Sequence, residues 1–230
     1  LRDPELIARL FLKDGPEFVC KLNGDFAIFI IRPGRREAFL FRDHMGVRPL
    51  AYHEKGDSLM FSTDIIGLCR FVSDGAPADS EYFLNYFKYT DYRRAPDPGV
   101  KKVMPGHYIS FGPEGLKEMK YWFPEDIRAE RKLSYDNMLS DLSWLLEDSV
   151  RIRCDSRFTA GAHVSGGLDS GIVSALARSE YSGQPSFSGF SWSPAGAPAA
   201  GGENDERELV RKSCGMASIE PRFSVMDDGA

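Results

Sequence analysis

The sequence predicts two halves of different fold class, an α+β first half with antiparallel sheets and an α/β second half with a parallel sheet. Three observations carry this. Short β-runs joined by tight turns at Glu54 to Asp57 and Gly112 to Gly115 leave little room for crossover helices, and connections that short join antiparallel neighbours. After Ser134 the order becomes helix, strand, glycine turn, helix, strand, helix, strand, which implies parallel strands with right-handed crossovers. Between the halves, Phe123 to Lys132 is charged and carries a proline, so the expected domains are 1–124 and 133–230.

Taken in order, Asp3-Pro4-Glu5 before Leu6, Ile7, Leu10 and Phe11 reads as a helix start, with Asp3 as cap and Pro4 at the first helical position. That helix stops near Asp14-Gly15-Pro16. Strands are expected at Phe26 to Ile31, Glu37 to Phe41, Pro49 to His53 and Ser58 to Ser62. Asp64 to Phe71 predicts a short helix. Ser80 caps another in which Tyr82, Phe83, Tyr86 and Phe87 recur at helical spacing, a stripe expected to be core. His107 to Phe111 and Leu116 to Tyr121 predict a hairpin. In the second half, Ser134 caps a long helix with Met138, Leu142, Leu145, Leu146 and Val150 on one face. Strands follow at Ala162 to Val164, Ser186 to Trp192 and Phe223 to Val225. A helix is expected from Asn204-Asp205-Glu206 to Cys214, after a Pro, Ala and Gly-rich loop at Pro194 to Gly202.

The chain has 230 residues and a formal charge of −5 with both signs mixed along it, so a dedicated nucleic-acid surface is not expected. Its longest apolar run, Phe26 to Ile31, is too short to span a bilayer, and a cytoplasmic protein with no membrane contact is expected. Cys20, Cys69, Cys154 and Cys214 are scattered without a C-x-x-C pair, which suggests reduced thiols rather than zinc ligands or disulfides. Neither do His44, His53, His107 and His163 fall at metal-ligand spacing. The chain opens on Leu1 rather than Met and closes on Met226 to Ala230 after an apparent strand, so both halves are expected to be incomplete.

The stretch with the most chemistry is Ser165-Gly166-Gly167-Leu168-Asp169-Ser170. Strand, glycine turn and helix bring backbone amides together at a helix N-terminus, where the orphan donors and the dipole favour an anion without lysine or arginine. A pyrophosphate suits such a loop. It is neither a Walker A loop nor G-x-G-x-x-G, and a plain turn with Asp169 or Ser170 as helix cap is the competing reading.

S-G-G-L-D-S resembles the pyrophosphate loop of the N-type ATP pyrophosphatases. Asp14-Gly15-Pro16-Glu17-Phe18, Leu22-Asn23-Gly24-Asp25-Phe26-Ala27, Arg42-Asp43-His44-Met45-Gly46-Val47-Arg48-Pro49-Leu50 and Pro105-Gly106-His107 precede it in order. Together these landmarks resemble the glutamine-dependent asparagine synthetase family. The resemblance implies a class II N-terminal-nucleophile glutaminase fold, two stacked antiparallel sheets with helices outside, joined to an ATP-pyrophosphatase domain.

Its further implications stay attached to the resemblance. Asp3 matches the family position that binds the α-amino group of glutamine, beside its reading as a helix cap. ATP is expected against Ser165, Gly166, Gly167, Leu168, Asp169 and Ser170, with main-chain contacts from His163 and Gly189. Asp169 either orients the loop or meets Mg2+ and pyrophosphate. Asp205 matches an acidic position near nucleotide and Mg2+, with helix capping as its alternative. The family's nucleophilic cysteine and oxyanion residues have no counterpart here, and Cys20 lies mid-chain. Arg42 and Asp43 are expected to fix a turn by pairing with each other. The activity implied is ATP-dependent amidation of the aspartate side chain with ammonia from glutamine, giving AMP and pyrophosphate. Beta-lactam synthetases, lasso-peptide cyclases and a non-catalytic pseudo-amidotransferase remain alternatives. Partners are then ATP, glutamine and aspartate or a related carboxylate, and a homodimer stays open.

Overall fold

The computed structural model describes residues 3–73, 75, 78–88, 91–128, 133–183, 187–194 and 206–224. It divides into two compact units, Leu1–Ala129 and Glu130–Ala230.

In the first unit, helix α1 (Asp3–Asp14) runs into a 3-10 segment, Gly15–Lys21, that the sequence pattern did not announce. Strands β1 (Ala27–Arg32), β2 (Glu37–Arg42), β6 (His107–Gly112) and β7 (Gly115–Lys120) form one antiparallel sheet in the order β1-β2-β6-β7. A second sheet, β4-β3-β5, comprises β3 (Ala51–Lys55), β4 (Ser58–Ser62) and β5 (Val100–Lys102). Side chains alternate faces along a strand. Phe39, Phe41 and Tyr108 therefore pack on Phe11, Phe18 and Val19 of the helical layer, while Leu40 and Ile109 meet Leu50, Tyr52 and Val103 of the other sheet. Beyond that sheet, Ala51 and Val100 are covered by Leu68 and Cys69 of helix α2 (Ile65–Val72). The unit is thus layered helix, sheet, sheet, helix. With both faces of β2 covered, its last four residues are all buried, which is why the sequence there shows a continuous run rather than alternation.

Asp64 caps α2 by accepting from Gly67 N at 2.9 Å, as its position suggests. Helix α3 (Ser80–Lys88) forms where expected, but its aromatic stripe is not core at the positions described. Phe83 is 53% exposed, and the Tyr86 and Phe87 side chains lie outside what is described.

In the second unit, α4 (Tyr135–Arg151) is capped by Ser134, whose Oγ accepts from Asn137 N at 3.3 Å. Its apolar face does not become core. Met138, Leu142 and Leu145 remain 46–53% exposed, and no residue of the helix is buried. Strands β8 (Gly161–His163), β9 (Ser188–Pro194) and β10 (Glu220–Ser224) pair in parallel in the order β10-β9-β8. Helices α5 (Leu168–Glu180) and α6 (Arg207–Met216) connect them and cover one sheet face. There Val164, Tyr181, Phe187, Val210, Cys214 and Ile219 form the core. The last strand begins at Glu220, earlier than the pattern placed it, and the expected Pro194 to Gly202 loop and the Asn204-Asp205 helix start lie largely outside the described residues.

Candidate functional site

The glycine loop leaves β8 one residue after His163. Val164, just past the strand, lies in the core, its amide donating to Phe190 O at 2.9 Å. Gly166 then turns the chain at φ +77°, a left-handed conformation that a side chain resists. Space requires glycine as well, because a Cβ there would stand 2.8 Å from Leu209 Cβ, and 3.4 Å from Glu206 O and Val210 N on the first turn of α6. Gly167 is the bare cap of α5, with no side-chain hydrogen bond to the helix start. The competing reading, with Asp169 or Ser170 as the helix cap, does not hold, since both lie inside the helix.

Ser170 instead braces the loop. Its Oγ accepts from Ser165 N at 3.2 Å, lies 3.0 Å from Ser165 Oγ and donates to Gly167 O at 3.2 Å. The first intrahelical bond is Gly171 N to Gly167 O at 3.1 Å, which leaves the amides of Leu168, Asp169 and Ser170 without intrahelical acceptors. An uncapped helix start with those amides at its mouth fits an anionic phosphate. Ser165, Gly167, Leu168 and Asp169 are exposed, and Gly166 to Leu168 border a cleft of about 560 Å³ that continues between α5 and α6.

His163 ends β8 on the sheet face opposite the helices. Its ring stacks on Trp192, with centroids 5.5 Å apart and planes within 5°. Trp192 is 79% exposed and was not singled out by sequence reasoning. The signal available was its spacing of two from Phe190, which puts both rings on one face of β9. Gly189 faces the other way and is buried. A Cβ there would lie 3.0 to 3.1 Å from Ile219, Val164 and Cys214, so close packing under the central strand accounts for this glycine. Asp205 lies outside the described residues. Asp169 is the one acidic side chain that the described part of the loop offers a cation, and the described residues hold no group of three or more His, Cys, Asp or Glu suited to a metal.

In the first unit Asp3 stands exposed in the first turn of α1, within the helix rather than ahead of it. Ile7, one turn further, lines a cleft of about 580 Å³ with Asp25, Phe26, Arg48 and Asp64. The expected pairing of Arg42 with Asp43 is also corrected. Arg42, 3% exposed, donates to the carbonyls of Arg48, Val103 and Gly46 at 2.8, 2.6 and 2.8 Å, and Asp43 accepts from Val47 N and Arg48 N at 2.8 and 2.9 Å. Gly106 N and Gly46 N both donate to Asp43 O, so the R-D-H and P-G-H landmarks meet in one knot. Tyr121 Oη closes it on Arg42 O at 2.6 Å, and burial holds that phenol protonated far above its ordinary range. The four cysteines are free, and Cys20 is exposed with its thiol pushed up by burial and by Glu17.

Two family models match. One, a glutamine amidotransferase domain, covers residues 2–122, and the other, asparagine synthase, covers residues 141–228. Among curated proteins, the chain is 26% identical over 183 residues to asparagine synthetase [glutamine-hydrolyzing] 3 of Bacillus subtilis, covering 78% of this chain and 29% of that protein. It is 29% identical over 181 residues to asparagine synthetase B [glutamine-hydrolyzing] of Escherichia coli, covering 76% and 27%. To amidase chry2 of Gibberella zeae it is 26% identical over 185 residues, covering 76% and 26%. The chain thus spans between a quarter and a third of the length of these relatives. A solved glutamine phosphoribosylpyrophosphate amidotransferase from Bacillus subtilis, complexed with ADP and GMP, superposes with a TM-score of 0.36 at 18% identity, over 79% of this chain and 38% of that one. No described helix is long and apolar enough to cross a membrane. The first match alone takes in more than half of the 230 residues, and with the second covering most of the remainder, the chain belongs to the asparagine synthetase family through a glutamine amidotransferase domain and an asparagine synthase region.

Proposed function

We propose that this chain is part of an ATP-dependent, amide-forming ligase in which glutamine supplies the nitrogen and the aspartate side chain the acyl group. The observation that carries this reading is the uncapped start of α5 behind Gly166 and Gly167. A carboxylate does not react with ammonia, because its oxygen is a poor leaving group. One carboxylate oxygen attacks the α phosphorus of ATP, the bond between that phosphorus and the bridging oxygen to the β phosphate breaks, and pyrophosphate leaves with the electron pair. Ammonia then attacks the acyl carbon of the acyl-adenylate, AMP departs and a proton is lost. Amides of Leu168, Asp169 and Ser170 are aimed where the negative charge of the leaving pyrophosphate grows, and fixed donors there lower the barrier without reorganising. Asp169 holds magnesium against the pyrophosphate, while Ser165 and Ser170 keep the loop in shape.

Gly189 and His163 contribute main chain beside the nucleotide, and Asp205 is the second acidic group near magnesium. In this reading the first domain, 1–124, is the later part of an N-terminal-nucleophile glutaminase domain, in which Asp3 binds the α-amino group of glutamine. The second, 133–230, is the start of the ATP-pyrophosphatase domain.

Exchange of labelled pyrophosphate into ATP by the intact protein, with aspartate as the varied acid, tests the reading. Aspartate-dependent exchange is expected. Asp169→Ala should lower it at least about a hundredfold, whereas His163→Ala should lower it only a few fold, a contrast that separates electrostatic stabilisation from packing. Exchange indifferent to aspartate reassigns the acyl group to another carboxylate, as in a ring-closing ligase. Absence of both exchange and ATP binding points to a non-catalytic pseudo-amidotransferase.

A further inference from the structure

We infer that Trp192 is the platform on which the base of the bound nucleotide stacks, with His163 as the ring that holds the indole in place. This rests on the reading of the glycine loop as the phosphate site and adds the other end of the ligand.

Three observations converge. In open parallel sheets ligands bind in the crevice beyond the carboxyl ends of the strands, and β8 ends at His163 while β9 continues to Pro194. The ends of β8 and β9 and the start of the glycine loop therefore lie at the same edge of the sheet. Second, Phe190 is folded down over β8, with its Cε2 2.8 Å from where a Gly161 Cβ would stand, so the ring presented at this end is Trp192. It is 79% exposed and held by its coplanar stack on His163, 5.5 Å away, while its main chain is fixed by Ser224 Oγ donating to Trp192 O at 3.0 Å. Third, His163 and Ser165 are two residues apart, so their Cα atoms are at most about 7.6 Å apart. A ribose bridges a comparable gap between a base and its phosphates.

An exposed aromatic face near a phosphate site takes a flat π-system, and stacking of this kind is tolerant of which base it meets. The ligand class is accordingly a nucleoside triphosphate with a large base, a purine in preference to a pyrimidine because ring overlap grows with area. The His163 ring acts through Trp192 while its main chain stays beside the nucleotide, which agrees with the mild effect expected of His163→Ala.

Calorimetric titration of the intact protein and of Trp192→Ala with magnesium-ATP, AMP and pyrophosphate decides the matter. Trp192→Ala should bind ATP and AMP about five- to a hundredfold more weakly and bind pyrophosphate unchanged, and Trp192→Phe should recover most of the loss. Equal ATP affinity in Trp192→Ala and wild type overturns the platform, while pyrophosphate binding leaves the loop reading standing. An equal loss for pyrophosphate also overturns it, since the indole would then prop the loop. AMP binding that depends on Trp192 without any pyrophosphate binding supports the platform and removes the loop reading. Binding of none of the three removes both.

Discussion

Arg42 shows how a single residue can look like chemistry and be architecture. A guanidinium offers five donors in a fixed fork, and here three carbonyls from Arg48, Val103 and Gly46 receive them in a site 3% exposed. It also donates to Tyr92 Oη at 3.3 Å, with the Tyr92 ring 5.6 Å from the guanidinium carbon. Arg42→Met leaves three carbonyls without a donor, at about 1–3 kcal/mol each, so a loss of at least about 3 kcal/mol is expected from urea unfolding. Arg42→Lys should recover little, because an ammonium cannot span the fork. A loss under about 1 kcal/mol would mean that water reaches the carbonyls. The neighbouring His44 makes a pH prediction. Its ring sits edge-on to Phe26, Tyr121 and Trp122, and burial pushes it below its ordinary value of 6.5, with the Asp43 carboxylate opposing. Below pH 6.5 the unfolded chain takes up a proton that the folded site still refuses. More protons are then bound unfolded than folded, so stability present above 6.5 is lost as pH falls towards the lowered value. His44→Gln should flatten the urea midpoint between pH 7.5 and pH 5 relative to wild type, and an unchanged slope would clear His44 of the effect.

At the scale of elements, what could be read in advance was whatever local chemistry decides. The cap and length of α2 follow from Asp64, the hairpin of β6 and β7 from Gly112 to Gly115, and the parallel pairing of β8 with β9 from the helix α5 between them. What escaped depends on tertiary context. Strand β5, three residues long, exists because Val100 to Lys102 finds β3 to pair with, and nothing in so short a stretch signals that. Periodicity places an apolar stripe on α4 and on α3 but does not say what covers it, and among the described residues neither stripe is buried as a core. The glycine loop was legible at Gly166, where both the positive φ and the approach of α6 demand glycine. The His163 and Trp192 stack was not, because their partnership depends on the register of β8 with β9, which places His163 opposite Phe190. The resemblance assigns Gly189 a ligand contact, whereas the space around its Cα is taken by Ile219, Val164 and Cys214.

For the molecule as a whole, the separation into Leu1–Ala129 and Glu130–Ala230, each with its own buried clusters, has a thermodynamic consequence. Units with separate cores unfold in separate transitions unless their interface is large, and a ligand stabilises only the unit that binds it. Scanning calorimetry should therefore resolve two transitions. Magnesium-ATP at about a hundredfold over its Kd adds ~2.7 kcal/mol to the unit carrying Ser165 to Ser170, on the order of 10 °C for a unit of this size, and leaves the other in place. Gly106→Ala is the converse probe. Gly106 has φ +65°, and a Cβ there would stand 2.2 Å from Trp122 O, so the substitution forces the knot at Asp43 apart. It should lower the transition that ATP does not move by more than about 4 kcal/mol and spare the other. Pyrophosphate alone should reproduce much of the ATP shift if the amides at the start of α5 provide the main grip. A single transition displaced both by ATP and by Gly106→Ala would show that the two units unfold as one, and the nucleotide site would then have to be understood as a property of the pair.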